Sequence, residues 1–209
     1  IFLDSANFKE IEEANSIGVI KGVTTNPTLI GREKVLIKDI INFCKNLDLT
    51  IFVQTLEDDH LRIFEEGKYY FSLFPEKLIL KIPFSIEGLK SLNLFKKEGI
   101  PFSITSIFSL SQIILSLPYE PLYIIPYINR IGRYGGEPFK IIRDAKKIIK
   151  EKNFNIKILS ASFRSSKEVE EVASSGSDAI TIPKTILDEI FENPLTKKAI
   201  EDFKKSYGI

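Results

Sequence analysis

Cysteine occurs once in the 209 residues, as Cys44, so the chain forms no intrachain disulfide and no cysteine-based metal site. That usage fits a reducing, cytoplasmic setting. Histidine is equally scarce: His60 stands alone, follows Asp58 and Asp59 on an expected solvent face, and reads as a surface side chain. No metal-ligating set is predicted. Long apolar runs are missing too, none approaching the roughly 20 residues that a membrane span needs. The amino end lacks the basic-then-apolar layout of a signal peptide. Nor is there an excess of one charge, since 29 Lys and Arg face 28 Asp and Glu for a net charge of +1. A nucleic-acid partner, which calls for a basic excess, is thereby disfavoured. The remaining composition, 44% apolar and 27% charged, is that of an ordinary soluble domain, with no linker or low-complexity tract to divide it.

What is present is a regular alternation. Short apolar stretches at 1–4, 22–26, 50–56, 78–83, 102–107, 123–128, 156–163 and 179–183 read as strands. Helical patterns separate them. Asn7 with Glu10, Ser109 with Gln112, and Ser165 with Glu168 have capping-box spacing. Ser85 precedes a helix running to Glu98, and residues 35–46 place Leu36, Ile40, Ile41 and Cys44 on one face. Glu57, Asp58 and Asp59 supply an acidic helix start. A glycine-rich loop from Gly132 to Gly136 precedes a helix over 138–152. A short helix begins near Thr185, and another spans 194–207.

Eight strand-helix pairs predict a single-domain (β/α)8 TIM barrel over residues 1–209. The length is compact for that fold, which usually runs to about 250 residues. An open doubly wound sheet is the other architecture considered. It would favour a glycine fingerprint after the first strand, where Asp4-Ser5-Ala6-Asn7 has none. The helix over 194–207 exceeds the eight pairs and is expected to pack outside the barrel or on a neighbouring subunit.

One strand holds an anomaly. Lys81 sits inside the apolar run Leu78-Ile79-Leu80-Lys81-Ile82-Pro83, yet lysine is rarely buried without a partner. One reading has it snorkelling from the strand end to solvent. The other makes it an amine nucleophile: removing water from an amine frees a lone pair that attacks a carbonyl to form a Schiff base. Barrel chemistry gathers at the carboxyl ends of strands. Those ends offer Asp4, Thr24-Thr25-Asn26, Gln54, Lys81, Thr105, Tyr127-Asn129-Arg130 and Ser160-Ser162-Arg164. Each alone has a structural reading, as a cap, a backbone partner or a core aromatic. Their convergence on one lysine favours a site. Asp4 and Tyr127 are then candidates for the base and acid of Schiff-base steps, and Gln54 and Thr105 for holding a catalytic water. Thr25 and Asn26 are candidate substrate contacts. Arg130, Arg164 and Ser162 form a donor-rich cationic group suited to phosphate.

The stretches Gly22-Val23-Thr24-Thr25-Asn26-Pro27-Thr28-Leu29-Ile30 and Leu78-Ile79-Leu80-Lys81-Ile82-Pro83-Phe84-Ser85-Ile86-Glu87-Gly88-Leu89 resemble the two signatures of the transaldolase family. The likeness is to its small-subunit branch, which includes fructose-6-phosphate aldolase. It continues through Glu98-Gly99-Ile100-Pro101, Pro126-Tyr127-Ile128-Asn129-Arg130, Ala161-Ser162-Phe163-Arg164 and Asn193-Pro194-Leu195-Thr196, in order along nearly the whole chain. The resemblance implies a class I aldolase mechanism without metal or cofactor, with Lys81 as the Schiff-base lysine. It implies that Asp4 and Asn26 contact the dihydroxyacetone part of the donor, that Asp4 transfers protons, and that Arg130, Ser162 and Arg164 bind phosphate. It implies a sugar-phosphate substrate and a ring-type homo-oligomer, a pentamer or decamer, whose carboxyl-terminal helix reaches a neighbour.

Within the family, Gln54 and Tyr127 match the aldolase, where true transaldolases carry glutamate and phenylalanine. Cleavage of fructose 6-phosphate to dihydroxyacetone and glyceraldehyde 3-phosphate is therefore the leading expectation. Transaldol transfer is the alternative, and a phosphosugar-binding barrel that has lost its chemistry is a third. Three departures bear on the substrate. Ile125 stands where serine or alanine is usual, and its bulk is expected to reshape the donor pocket. Ser103 stands where transaldolases have asparagine, and Gly132 replaces an acidic residue.

Overall fold

The structure, a computed structural model, describes residues 1–208. Its strands are β1 (Phe2–Asp4), β2 (Gly22–Thr24), β3 (Thr50–Gln54), β4 (Leu78–Pro83), β5 (Phe102–Ile107), β6 (Tyr123–Pro126), β7 (Lys157–Ser160) and β8 (Ala179–Ile182). They pair in parallel in chain order and close on themselves, β8 against β1. The (β/α)8 barrel read from the alternation is the observed fold.

Alternation along each strand makes two apolar layers. Leu3, Val23, Ile51, Val53, Leu80, Ile82, Ile104, Ile124 and Ile158 point outward into a continuous core with the helices. Each buried aliphatic side chain of this kind stabilises the fold by about 1.5–3 kcal/mol. The residues between them point inward. Phe2, Phe52, Ile125, Leu159 and Ala161 form a separate plug inside the barrel, flanked by Ile79, Tyr123, Tyr127 and Ala179. Above that plug the inward positions turn polar, and there the cleft opens.

The helices are α1 (Phe8–Ser16), α2 (Pro27–Glu33), α3 (Ile37–Asn46), α4 (His60–Leu73), α5 (Ile86–Lys97), α6 (Leu110–Ser116), α7 (Ile128–Arg133), α8 (Pro138–Glu151), α9 (Ser166–Ser174), α10 (Lys184–Phe191) and α11 (Pro194–Tyr207), with a 3-10 turn at Leu117–Tyr119. The side chains of Asn7, Ser85, Ser109 and Ser165 each accept a backbone N–H three residues on, as their spacing predicts. Among the described residues, no helix is long and apolar enough to cross a membrane.

Several boundaries differ from those read off the sequence. Residues 27–33 form a helix of their own, because Asn26 caps Leu29 N–H and Pro27 occupies the first turn. The next helix begins at Ile37, leaving Leu36 as an exposed cap rather than part of the buried face. Strand β6 ends at Pro126, since Ile128 and Asn129 turn their N–H groups to the carbonyls of Ala161 and Ser162 and start α7. Gly132 therefore lies in a helix, not a loop. His60 is not a free surface side chain: its Nδ1 lies 2.7 Å from Glu87 Oε2. Asp59 joins them, all three within 4.8 Å, but this group lies outside the cleft. Asp59 caps α4, and Glu87, which also accepts from Lys90, is pulled down to about 2 by Lys90 and then His60.

Behind the lysine-bearing strand, α4 packs so closely that only a hydrogen fits at Gly67. A Cβ there would lie 2.6 Å from the Phe95 ring and 2.8 Å from Leu80 Cδ1. Gly67→Ala is expected to lower stability by about 1–3 kcal/mol through overpacking, read as a drop in thermal midpoint. An unchanged midpoint would show that α4 is free to shift.

Candidate active site

The strand ends open into one cleft of about 590 Å³. Lys81 enters it from β4, 3% exposed, and its Nζ donates to the carbonyl of Thr25 at 2.8 Å. It does not snorkel to solvent: the amine is tethered across two strands and held inside the barrel mouth. Gln54 is its register partner on β3 and faces the same space.

Asp4 lines the same cleft from β1. Thr24 donates to its Oδ1 at 2.9 Å, and Thr181 lies 2.6 Å beyond Thr24, so a chain of hydroxyls runs from β8 through β2 to the carboxylate. Desolvation raises the Asp4 carboxyl above its ordinary value; the Lys81 charge and the Thr24 hydrogen bond oppose this without reversing it. A carboxyl raised in this way is better matched to proton exchange near neutral pH.

Thr105 and Tyr127 face each other from β5 and the end of β6 with their hydroxyls 3.0 Å apart. The Arg130 guanidinium stacks over the Tyr127 ring, 4.9 Å from its centroid. Arg130 and Arg164 are both exposed at the rim, and Ser162 lies between β7 and that rim in a left-handed conformation, φ +65°. Glu168 accepts the Arg164 backbone N–H and so orders the start of the turn.

Eight sequence-predicted residues line the cleft together: Asp4, Asn26, Gln54, Lys81, Tyr127, Arg130, Ser162 and Arg164. Thr25 and Thr105 stand one layer back, Thr25 through its carbonyl on Lys81 and Thr105 through its hydroxyl on Tyr127. Thr25 Oγ1 is buried and unpartnered among the described residues. Ile125 is fully buried in the plug below the cleft and does not line it, so its bulk acts from beneath. Ser103 is also buried, its hydroxyl donated to Leu80 O at 2.7 Å. Arg32, Ser106 and Lys184 line the cleft without having been singled out in the sequence, and Glu10, read there only as a capping-box residue, lines it too. Lys184 carries a weak signal, being a charge just after β8, whereas Arg32 lies in the last turn of α2, eight residues past β2. Ser106 carries none, because strict alternation would point it away.

Fold and cleft together define a parallel (β/α)8 barrel with a buried lysine amine at the carboxyl ends of its strands. Comparison with known proteins narrows the class. The family model "Transaldolase/Fructose-6-phosphate aldolase" matches residues 1–208. A probable transaldolase of Clostridium botulinum (strain Eklund 17B / Type B) is 36% identical over 208 residues, covering 99% of this chain and 97% of that one. Probable transaldolases of Kosmotoga olearia and Aquifex aeolicus are each 34% identical, covering 97% and 99% of this chain and 93% and 95% of their own. Two flavocytochrome b2 structures, one with sulfite and one with pyruvate bound, match with TM-scores of 0.61 and 0.63 at 11% and 12% identity. They cover 88% of this chain, which spans only 56% of theirs, and the likeness is one of fold alone. The chain belongs to the transaldolase/fructose-6-phosphate aldolase family, and is thus a class I, Schiff-base enzyme.

Proposed function

We propose that the protein cleaves a ketose phosphate, with fructose 6-phosphate as its principal substrate, to dihydroxyacetone and glyceraldehyde 3-phosphate. Lys81 adds to the C2 ketone, and loss of water gives an iminium ion. Asp4, as carboxylate, takes the C4 hydroxyl proton. The C3–C4 bond then breaks, its electrons move to the iminium to form an enamine, and the aldehyde leaves. Protonation of the enamine at C3 and hydrolysis of the imine release dihydroxyacetone and regenerate the amine. Gln54 and the Thr105–Tyr127 pair hold and protonate the water of these steps, while Thr25 and Asn26 bind the donor end. Arg130, Arg164 and Ser162 hold the phosphate.

The observation that carries the choice of aldolase is the Tyr127 phenol on the cleft wall, its hydroxyl 3.0 Å from that of Thr105 one layer behind. A phenol supplies a proton to the enamine, which favours releasing dihydroxyacetone over keeping it for an acceptor. The competing reading, transfer of the dihydroxyacetone unit to an aldose phosphate, is favoured by the relatives called probable transaldolase. Turnover of fructose 6-phosphate without any acceptor aldehyde separates them. Acceptor-free turnover close to zero would leave transaldol transfer. Tyr127→Phe is expected to lower acceptor-free release by about 10²-fold, the lower range for a general acid, while transfer in the presence of erythrose 4-phosphate falls less. Equal losses would remove the phenol from this role.

A ring-type homo-oligomer, a pentamer or decamer of single-barrel subunits, is part of the same proposal. Supporting it, α11 buries none of its residues and leaves Leu195, Phe203 and Tyr207 at 76%, 72% and 84% exposure. A reducing, cytoplasmic compartment is proposed from cysteine usage, Cys44 being the single cysteine of the sequence.

A further inference from the structure

Strand β5 does not run regularly to its end. Its pairing with β6 shifts register between Ile104 and Ile107, and the residue in the irregularity, Ser106, adopts a left-handed backbone with φ +60°. Serine pays a steric penalty there that glycine or asparagine largely escapes. The distortion has a consequence. Ser103 and Thr105 point inward, so alternation would send Ser106 toward the helices; instead it lines the cleft, half-buried. Its hydroxyl has no hydrogen-bond partner among the described residues, although that of the preceding Thr105 meets Tyr127. Backbone strain at a residue that lines a cleft with an unengaged hydroxyl is the kind of outlier that clusters at ligand-binding sites.

Position decides what that atom meets. Lys81 enters from β4, and the cations follow β6 and β7. In the closed order β5 lies between them. A ketose phosphate joined to Lys81 at C2, with its phosphate at Arg130 and Arg164, draws its middle carbons past β5. We propose that Ser106 is a specificity-determining residue whose hydroxyl hydrogen-bonds the C5 hydroxyl of that substrate, which is the 2-hydroxyl of the aldehyde product. It thereby selects aldehydes bearing a hydroxyl next to the carbonyl. This inference rests on the aldolase reading above.

The test runs the reaction toward synthesis, with dihydroxyacetone as donor and two phosphorylated aldehydes as acceptors: glyceraldehyde 3-phosphate and 3-oxopropyl phosphate, which lacks only the 2-hydroxyl. The wild-type ratio of kcat/KM is expected to favour the hydroxylated acceptor by about tenfold, the effect of one hydrogen bond lost within a binding site. Ser106→Ala, which removes the hydroxyl and keeps the backbone strain, should bring the ratio to within about twofold of unity. Ser106→Gly removes the hydroxyl and relieves the strain, so it should give the same ratio with an equal or higher melting temperature, and it keeps the test available if the alanine variant folds poorly. A wild-type ratio near one, or a ratio that survives in both variants, overturns the inference. Acceptor-free turnover of fructose 6-phosphate by the wild-type protein distinguishes this failure from that of the parent reading. Turnover with a ratio that does not depend on the Ser106 hydroxyl removes the role of Ser106 alone, whereas acceptor-free turnover close to zero removes both.

Discussion

Lys81→Met is expected to reduce turnover of fructose 6-phosphate by at least about 10⁴-fold, the loss typical of removing a covalent nucleophile. The same variant should gain no mass when substrate and borohydride are added together, whereas the wild-type chain should gain one reduced adduct at residue 81. Methionine is unbranched and nearly isosteric with the buried part of lysine, so the fold should accept it. Two opposed effects act on stability. The Thr25 carbonyl loses the donor now 2.8 Å away, which costs about 1–3 kcal/mol if nothing replaces it. Against this, an amine at 3% exposure no longer has to be held away from water. The melting temperature should stay within a few degrees of wild type, so that lost activity cannot be ascribed to unfolding. Activity above about one-hundredth of wild type, or an adduct on another lysine, would falsify the assignment of Lys81 as the electrophile-capturing group.

Asp4→Asn carries the next largest effect, a loss of about 10²–10⁴-fold in kcat, the usual contribution of a positioned base. The wild-type pH profile belongs to the same prediction. Burial raises the Asp4 carboxyl above the ordinary 3.8, and the base must be ionised to accept the substrate proton. Activity should therefore fall with decreasing pH through an acid limb that lies above 3.8, and the limb should vanish from whatever activity the variant retains. The stability consequence has the opposite sense. A carboxyl whose folded value is raised stabilises the native state fully below the unfolded value and loses that contribution as pH rises through the folded one. Ionised Asp4 thus weighs against folding at neutral pH, and Asp4→Asn should be at least as stable as wild type at pH 7. That advantage should disappear below the ordinary carboxylate value. An acid limb at or below 3.8, or a variant clearly less stable at pH 7, would contradict the placement of Asp4 in a desolvated wall.

Much of the site was legible because its residues sit at inward positions near strand ends, where the sequence alternates cleanly. Lys81 is conspicuous in Leu78–Pro83 since a charge in an apolar strand breaks the pattern, and Gln54 and Asp4 break it in the same way. Arg130, Ser162 and Arg164 follow strands and combine chemically into an anion site. The helix at Pro27–Glu33 was missed because its apolar content is low and its start signal is one asparagine followed by proline. The early end of β6 was missed because Tyr127 and Ile128 have the side chains of strand residues, while Ile128 and Asn129 give their N–H groups to the carbonyls of Ala161 and Ser162, just past the end of β7. The second outcome is not encoded within a window of a few residues.

The amino-acid sequence by itself determined the eight-fold alternation, hence the barrel, and which chemical groups stand near the ends of its strands, because side-chain period and capping are local properties of the chain. Tertiary structure alone decided three things: that the Thr25 carbonyl receives the amine of a lysine 56 positions away, that Ile125 belongs to the plug below the cleft, and that Ser106 faces inward against the alternation. Each depends on closing the sheet, which sets neighbours from distant strands at fixed heights and forces the backbone irregularity that turns Ser106 around.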